Sequence, residues 1–302
     1  MAESTQSIGK NVVRNNFKAQ FNLGDVFIYL VLALVVLATA YPFFYVFSLS
    51  VMPYKNYLQQ PVHLGPSGFT LAYYQQILLN PSLMRSFGIS ILKTIVGTIL
   101  NVTATLTAAW ALSRKELPMA RAITIFIFIP LYIGGGLIPY FLVINSLGLL
   151  NTFWALVVPS FVDPFLLLIA RAYFLGFPQE LIDAALVDGA GHLRIFASLV
   201  WPTSWPIIAT LMTLYGIGHW NSYFWPSILV QSNLQPAIVL LQGIVASERA
   251  QTALGLNITK QAGAYQSFVA AMTVLLVIPM LAVYPFTQRY LVKGIMLGAV
   301  KN

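Results

Sequence analysis

Long runs of apolar residues alternate with short polar segments along the chain. Six of the runs are long enough to cross the roughly 30 Å hydrocarbon core of a bilayer as helices, which rise about 1.5 Å per residue. Several runs contain proline or glycine, which membrane helices tolerate because neighbouring groups satisfy the freed backbone. The pattern therefore predicts six transmembrane helices, at residues 26–47, 87–112, 123–143, 153–173, 206–230 and 268–286.

The composition supports a membrane protein. Of the 302 residues, 58% are hydrophobic and 8% are charged, whereas about 25% of the residues in soluble domains are charged. A soluble domain could not bury this much apolar surface, so we expect an all-α integral membrane protein. The first 25 or so residues are polar, and no small-residue cleavage site follows the first apolar run. The first span is therefore expected to remain in the protein.

The lysines and arginines predict the orientation, because cytoplasmic loops carry an excess of these residues. If the N-terminus is cytoplasmic, eleven of the sixteen lie on that side and four on the other. We therefore expect both termini in the cytoplasm. This gives a cytoplasmic segment at 1–25, a six-helix domain at 26–290 with an inner loop at 174–202, and a cytoplasmic tail at 291–302. The net charge of +8 then reflects topology, and no nucleic-acid partner is predicted.

Apart from Arg171 at the cytoplasmic end of the fourth span, two charged residues fall within the predicted spans. Lys93 lies about two turns from the outer end of its helix, close enough to extend its ammonium to the interface, so we expect a structural role rather than an ion pair with a substrate. Asp163 lies near mid-membrane, where an acid is a candidate for proton coupling or substrate binding. Because it directly precedes Pro164, we favour a cap on the helix that starts there.

The third span contains three consecutive glycines, Gly134 to Gly136, followed by Pro139. This combination weakens or kinks a helix and allows close approach of the backbone. Tight packing against another helix and a gate in a pore both explain the pattern, and the two are compatible.

Sequence motifs of membrane enzymes are absent. The chain has no cysteine, no Gly-x-x-x-x-Gly-Lys-Ser/Thr phosphate loop, no His-Glu-x-x-His and no Gly-x-Ser-x-Gly. The three histidines lie far apart in the sequence, so no metal site is predicted. Acids are nearly absent from the spans, which argues against a carrier driven by a proton relay. The chain is therefore not predicted to be an enzyme or to bind ATP itself.

The inner loop is the most charged feature of the second half. Glu180 and Asp183 follow Pro178 and place negative charge at the start of a short helix, where the helix dipole favours it. Ala184 and Ala185 give this helix a small surface that another protein can approach closely. Gly189 and Gly191 end it, Phe196 is expected to start a second helix, and Pro202 leads that helix toward the membrane. An ordinary amphipathic interfacial helix explains the composition equally well.

The spacing in this loop resembles the EAA signature of ABC-importer permeases. That signature reads Glu-Ala-Ala, three residues, Gly, nine residues, Ile-x-Leu-Pro; here the matching positions are Asp183, Ala184, Ala185, Gly189, Leu199, Trp201 and Pro202. Aspartate for glutamate and leucine for isoleucine are mild departures, whereas tryptophan for leucine changes the local packing. Segments 135–139, 147–152 and 293–301 further resemble oligosaccharide permeases of the LplC/YtcP type, which are related to MalG.

The resemblance implies a type I ABC importer fold in the bacterial inner membrane. It also implies a second, similar permease subunit, two cytoplasmic ATPases that hold ATP and Mg²⁺, and an extracytoplasmic solute-binding protein. No cofactor is expected on this chain. The residues that the resemblance assigns to coupling with the ATPase are Glu180, Asp183, Ala184, Ala185, Asp188, Gly189, Ala190, Phe196 and Pro202.

A substrate path is predicted from polar and aromatic residues near the outer ends of the third and fifth spans. Aromatic residues there usually anchor a span in the interface, but they also stack on sugars when amides and hydroxyls accompany them. The expected function is import of oligosaccharides or polysaccharide fragments. A permease for a non-sugar solute and a scaffold that docks a soluble partner without transport are the alternatives. The candidate path residues are Tyr140, Asn145, Trp220, Asn221 and Tyr223.

Overall fold

The computed structural model describes residues 23–59, 65–253 and 262–299. These residues form helices, and no strand occurs among them. One compact unit ends at Tyr45, and a second begins at Val46. The α-helices are α1 (Leu23–Val51), α2 (Tyr54–Gln59), α3 (Ala72–Leu79), α4 (Pro81–Ser113), α5 (Ala120–Tyr132), α6 (Leu137–Ser146), α7 (Pro164–Leu175), α8 (Gln179–Val187), α9 (His192–Ile195), α10 (Trp201–Thr203), α11 (Trp205–Asn221), α12 (Phe224–Leu229), α13 (Ala237–Ala253) and α14 (Ala262–Ala299).

Four shorter helical segments connect these elements. Three are 3₁₀-helices, at Phe153–Leu156, Val158–Ser160 and Ser232–Leu234, and one is a π-helix at Phe196–Val200. The first compact unit contributes the part of α1 up to Tyr45, which is strongly apolar throughout. The second unit contains the remaining elements.

The 33-residue helix α4 lies at the centre of the second unit. It packs against α7 and α11, and α11 packs in turn against α14. Asn80 starts α4, because its side-chain oxygen accepts hydrogen bonds from the amides of Ser82 and Leu83, and Pro81 occupies the first helical position. Three groups of buried apolar side chains surround α4: one toward its C-terminal end, one at its N-terminal end with α13 and α14, and one around α6 and α12.

Three helices among the described residues are long and apolar enough to cross a membrane, namely Gly24–Val51, Pro81–Ser113 and Tyr265–Pro285. Two further pairs of helices are long and apolar enough only when the two helices of each pair are taken together, and both pairs are bent. Phe153–Ser160 and Pro164–Leu175 meet at 50°, and His192–Thr203 and Trp205–Asn221 meet at 80°. Up to five spans follow by length and composition.

The predicted third span is divided between α5 and α6. The helix ends at Tyr132 and resumes at Leu137, and Gly136 has a φ of +78°, which glycine adopts without a steric penalty. The prediction that the glycines interrupt this helix is confirmed. The fifth predicted span is also interrupted, because α11 ends at Asn221 and the chain resumes its helix as α12.

The second helix of the inner loop begins at His192, so the expectation that Phe196 starts it is wrong by one turn. Gly191 precedes His192 with extended backbone angles and leaves the chain free to turn into the helix there. Phe196 instead opens the π-helix that follows α9.

Candidate functional site

The inner loop presents one short helix, α8, above the C-terminal end of α4. Ile182 is 2% exposed and belongs to the apolar group at that end, and the half-buried Ala185 and Ala190 pack against the same group. Ala185 therefore contributes to the internal packing of the loop. Of the two alanines in the signature, Ala184 is the exposed one.

The end of α8 is fixed by a Schellman motif, in which the two amides after the helix bond back to its last turn. The amide of Gly189 donates to the carbonyl of Leu186, and the amide of Ala190 donates to that of Ala185, each at 3.0 Å. Gly189 has a φ of +77°, a conformation that costs other residues roughly 1–2 kcal/mol. The motif gives α8 a defined end and turns the chain into α9.

The outer face of the loop carries both acids and exposed apolar side chains. Val187 is 88% exposed and Leu193 is 82% exposed. The predicted coupling residues that are exposed are Glu180, Asp183, Ala184, Asp188, Gly189 and Pro202. Apolar side chains ringed by polar ones mark interaction surfaces. The surface formed by Val187, Leu193 and these residues is called the docking surface below.

An aromatic group connects the loop to α4. The ring of Trp110 in α4 lies 5.6 Å from that of Phe174, 6.1 Å from that of Phe177 and 6.0 Å from that of Phe196. Phe196 also meets Trp201 edge-on at 5.8 Å. The predicted residue Phe196 is thus half-buried and joins the second half of the loop to α4.

Two arginines tie the ends of α4 and α7 together. Arg114 stacks over the Trp110 ring, with Cζ at 4.0 Å from the centroid, and donates to the carbonyl of Phe174 at the end of α7. Arg171 of α7 donates from Nε to the carbonyl of Leu112 at the end of α4 at 3.0 Å. Arg114, which follows α4, thus caps α7, and Arg171 of α7 caps α4. The count of lysines and arginines that predicted the orientation did not reveal this role. Burial lowers the pKa of the Arg114 guanidinium, and the nearby carboxylate of Glu116 raises it.

A cavity of about 420 Å³ with a mixed polar and apolar lining, called the polar cavity below, lies deeper in the unit, where α4, α7 and α11 meet α6 and α12. Asp163 caps α7 at its edge, accepting a hydrogen bond from the amide of Leu166 at 2.9 Å. The predicted capping role of Asp163 is confirmed. The side chains that line the cavity with hydrogen-bonding groups or aromatic rings are Asn101, Tyr140, Ser160, Asp163, Tyr215, His219, Ser222 and Trp225.

Of the five predicted path residues, the cavity includes Tyr140, whose ring lies 4.0 Å from that of Trp225. Trp220 is buried against α14, where Nε1 donates to the carbonyl of Leu276 at 3.0 Å, and it borders a separate, mainly apolar cavity of about 580 Å³. Asn145, Asn221 and Tyr223 are exposed and line neither cavity.

Lys93 does not extend to the interface, so that part of the prediction is wrong. Its side chain is 1% exposed, and Nζ donates to the carbonyl of His219 at 2.8 Å, to the carbonyl of Ser222 at 3.4 Å and to the Ser222 hydroxyl. These carbonyls belong to the end of α11, where no helical partner follows. The ammonium therefore bonds to backbone carbonyls that the interruption between α11 and α12 leaves without helical partners. This is a structural role.

Asn101 was not identified from the sequence, although its environment is distinctive. It is 1% exposed, and its Nδ2 donates to the carbonyl of Ser160 at 2.8 Å and lies 3.1 Å from Nε2 of His219. Its Oδ1 has no hydrogen-bond partner among the described residues. The sequence signal that could have identified Asn101 is an amide side chain in the middle of an apolar helix. In the part of the chain that the structure describes, no group of histidine and acidic side chains could hold a metal ion.

Comparisons with known proteins place these features in context. The family model described as "Binding-protein-dependent transport system inner membrane component" matches residues 101–296. The chain is 32% identical over 265 residues to protein LplC of Bacillus subtilis (strain 168), covering 87% of this chain and 90% of that protein. It is 32% identical over 282 residues to the polygalacturonan/rhamnogalacturonan transport system permease protein YtcP of the same organism, covering 93% and 99%.

A solved structure is similar over nearly its whole length. It is a chain from the crystal structure of a bacterial ABC transporter involved in the import of the acidic polysaccharide alginate. The TM-score is 0.79 and the sequence identity 27%, over 89% of this chain and 98% of that one.

Proposed function

The chain belongs to the family of binding-protein-dependent transport system inner membrane components, and on that premise we propose that it is a transmembrane subunit of an ATP-driven importer for oligosaccharides or polysaccharide fragments. The observation that carries the proposal is the inner loop, where the EAA-like spacing coincides with a short, capped and exposed helix. The family supplies permease subunits, so this chain is not an enzyme, and a separate ATPase hydrolyses the ATP. The saccharide substrate is supported by YtcP and by the alginate importer.

The proposed topology has six spans in the inner membrane of a bacterium. Both termini lie in the cytoplasm. The three unbroken helices support three of these spans, and we count each of the two bent pairs as one more span. We assign the sixth to α5 and α6 together, since they occupy the third predicted apolar run. The six-helix domain then covers 26–290, with cytoplasmic segments at 1–25 and 291–302.

The proposed assembly contains a second permease subunit, two cytoplasmic ATPases and an extracytoplasmic solute-binding protein. ATP and Mg²⁺ bind to the ATPases, and this chain carries no cofactor. A heterodimer of permeases is the proposed form. Each permease contributes half of the translocation path, in which Tyr140 is the best-supported of the predicted residues because it lines the polar cavity.

Coupling works through rigid contacts. The docking surface receives the motion of the ATPase, and Ile182 and Ala185 attach α8 to the apolar group below it. Phe196 and Trp110 pass the displacement to α4, while the helical run from His192 to Thr203 passes it across the 80° bend to α11. Such a device shifts the inward-open and outward-open populations only if the two nucleotide states of the ATPase prefer different permease conformations.

Reconstitution tests the proposed function. The permease pair is purified with its ATPase, inserted into vesicles with the solute-binding protein, and supplied with labelled oligosaccharides or labelled peptides. We expect the ATPase to copurify and labelled oligosaccharide to accumulate only with ATP. Accumulation of peptides but not sugars would favour a permease for a non-sugar solute. Copurification without any ATP-dependent flux would favour the non-transporting scaffold and contradict the proposal.

A further inference from the structure

The polar cavity carries one acidic side chain and no cationic one. Asp163 is exposed at its edge, and within the described part of the chain no other aspartate or glutamate and no lysine or arginine lines it. Its remaining ionisable groups are His219 and two tyrosines, and a tyrosine hydroxyl is neutral at physiological pH. The charge of the cavity therefore depends on Asp163, on the protonation of His219 and on how accessible Lys93 is.

The hydrogen bonds of Asn101 indicate that His219 is uncharged. A carbonyl oxygen such as that of Ser160 can only accept a hydrogen bond. The side-chain atom of Asn101 that faces Ser160 and His219 must therefore be the donor Nδ2 and not the acceptor Oδ1. The same Nδ2 lies 3.1 Å from Nε2 of His219, so Nε2 accepts and the imidazole proton resides on Nδ1. A protonated imidazolium would have a hydrogen on Nε2 pointing at another donor.

The ammonium of Lys93 is not available to a ligand. It has three N–H donors, and the carbonyls of His219 and Ser222 together with the Ser222 hydroxyl receive them. Lys93 is 1% exposed and does not line the cavity. No cationic N–H among the described residues can therefore pair with an anionic group in this cavity.

The remaining groups suit the hydroxyls and the apolar face of a sugar ring. The Asp163 carboxylate uses Oδ1 for its cap, so Oδ2 is the oxygen that a ligand hydroxyl would meet. Oδ1 of Asn101 has no partner among the described residues, but it is itself buried and is not counted as a contact for the ligand. The rings of Tyr140 and Trp225 supply an aromatic wall on which the C–H face of a ring can stack. A volume of about 420 Å³ falls in the range of small-molecule sites, about 300–1,000 Å³.

We propose that this cavity is a saccharide subsite that accepts an uncharged sugar ring and rejects a uronate. The inference rests on the proposed function, since it assigns a substrate class to the path of the same importer. A uronate carboxylate would lie near the Asp163 carboxylate without a cation to offset it. At an effective dielectric constant of about 20, repulsion across a cavity of this size is worth on the order of a tenfold preference for the neutral ring.

The test compares wild type with Asp163→Asn in the reconstituted importer. Asparagine caps a helix as well as aspartate does, so the start of α7 is kept while the charge is removed. The probes are labelled neutral trisaccharides and their uronate counterparts with the same ring configuration, in the gluco, galacto and manno series. The measured quantity is the ratio of neutral to uronate uptake. Because the solute-binding protein is the same in both samples, a change in the ratio reports on the permease.

We expect Asp163→Asn to lower the ratio of neutral to uronate uptake by about tenfold relative to wild type. Glu116→Gln removes one negative charge outside the cavity and is expected to leave the ratio unchanged. A ratio that Asp163→Asn does not lower would overturn the subsite while leaving the importer intact. No ATP-dependent uptake of any saccharide would instead contradict the proposed function.

Discussion

At the scale of single residues, the contact between Gly97 and His219 controls the geometry of the polar cavity. Gly97 lies in α4, one turn before Asn101, and the imidazole of His219 sits against its α-carbon. A Cβ at position 97 would lie 2.5 Å from Nε2 of His219, closer than atoms can approach. The absence of a side chain at Gly97 thus lets α11 come close enough for His219 to meet Asn101.

We expect Gly97→Ala to displace His219 and to break its hydrogen bond with Asn101. Overpacking and the loss of a buried partner together should lower the free energy of unfolding by about 1–3 kcal/mol. Thermal unfolding of the detergent-solubilised complex measures this as a lower Tm. Gly88→Ala is the matched control in the same helix, because a Cβ there meets nothing within 4 Å. Equal Tm values for the two variants would contradict the packing argument.

Residue roles were predictable from the sequence where the partner is close along the chain. Asp163 precedes a proline and accepts a hydrogen bond from Leu166, three residues later. The Asp-Pro dipeptide was therefore enough to predict the cap. Lys93 bonds to His219, 126 residues away, and Trp220 bonds to Leu276, 56 residues away. Only the packing of α4, α11 and α14 brings these groups together. A single sequence therefore predicted the local cap but could not show which distant groups the lysine and the tryptophan bond to.

At the scale of elements, α8 is defined more sharply by its end than by its start. The Schellman motif at Gly189 uses a backbone conformation that glycine adopts readily, and the sequence predicted an end at this glycine. The π-helix at Phe196–Val200 has no comparable sequence signal, so the second helix of the loop was predicted one turn too late. Nor did the apolar run reveal the 80° bend before α11, because composition reports length rather than direction.

We expect Gly189→Ala to loosen the end of α8. The left-handed conformation should cost about 1 kcal/mol with alanine, which favours fraying of the last turn. Hydrogen exchange of the amides of Gly189 and Ala190 should accelerate, and substrate-stimulated ATP hydrolysis by the complex should fall. Gly191→Ala is the control, since Gly191 has a φ of −73° and open space around its α-carbon. Equal rates of hydrogen exchange and equal rates of ATP hydrolysis in the two variants would contradict the role assigned to Gly189.

At the scale of the whole molecule, the class of protein followed from composition, whereas the cavities did not. Apolar runs and low charge predicted an all-helical membrane protein, and the spacing in the inner loop led to the proposed docking element. The polar cavity combines side chains from α4, α6, α7, α11 and α12, which are scattered over more than 100 positions of the sequence. The hydrophobic periodicity of a single sequence does not show that Asn101, His219 and Tyr140 line the same cavity.

The central claim is that the docking surface on the inner loop binds the ATPase. The chain contains no cysteine, so one introduced cysteine is a unique attachment point. Val187→Cys and Leu193→Cys place it on the docking surface, at side chains that are 88% and 82% exposed. Leu79→Cys, at a side chain that is 81% exposed in the segment between the first two predicted spans, is the matched control, because the predicted topology places this segment outside the cell.

The deciding measurement is photo-cross-linking in the assembled complex, with a benzophenone maleimide attached to each cysteine and the products identified by mass. The account predicts a covalent adduct with the ATPase subunit from positions 187 and 193, and none from position 79. It would be contradicted by a complex that hydrolyses ATP yet gives no ATPase adduct from either loop position, or that gives one from position 79.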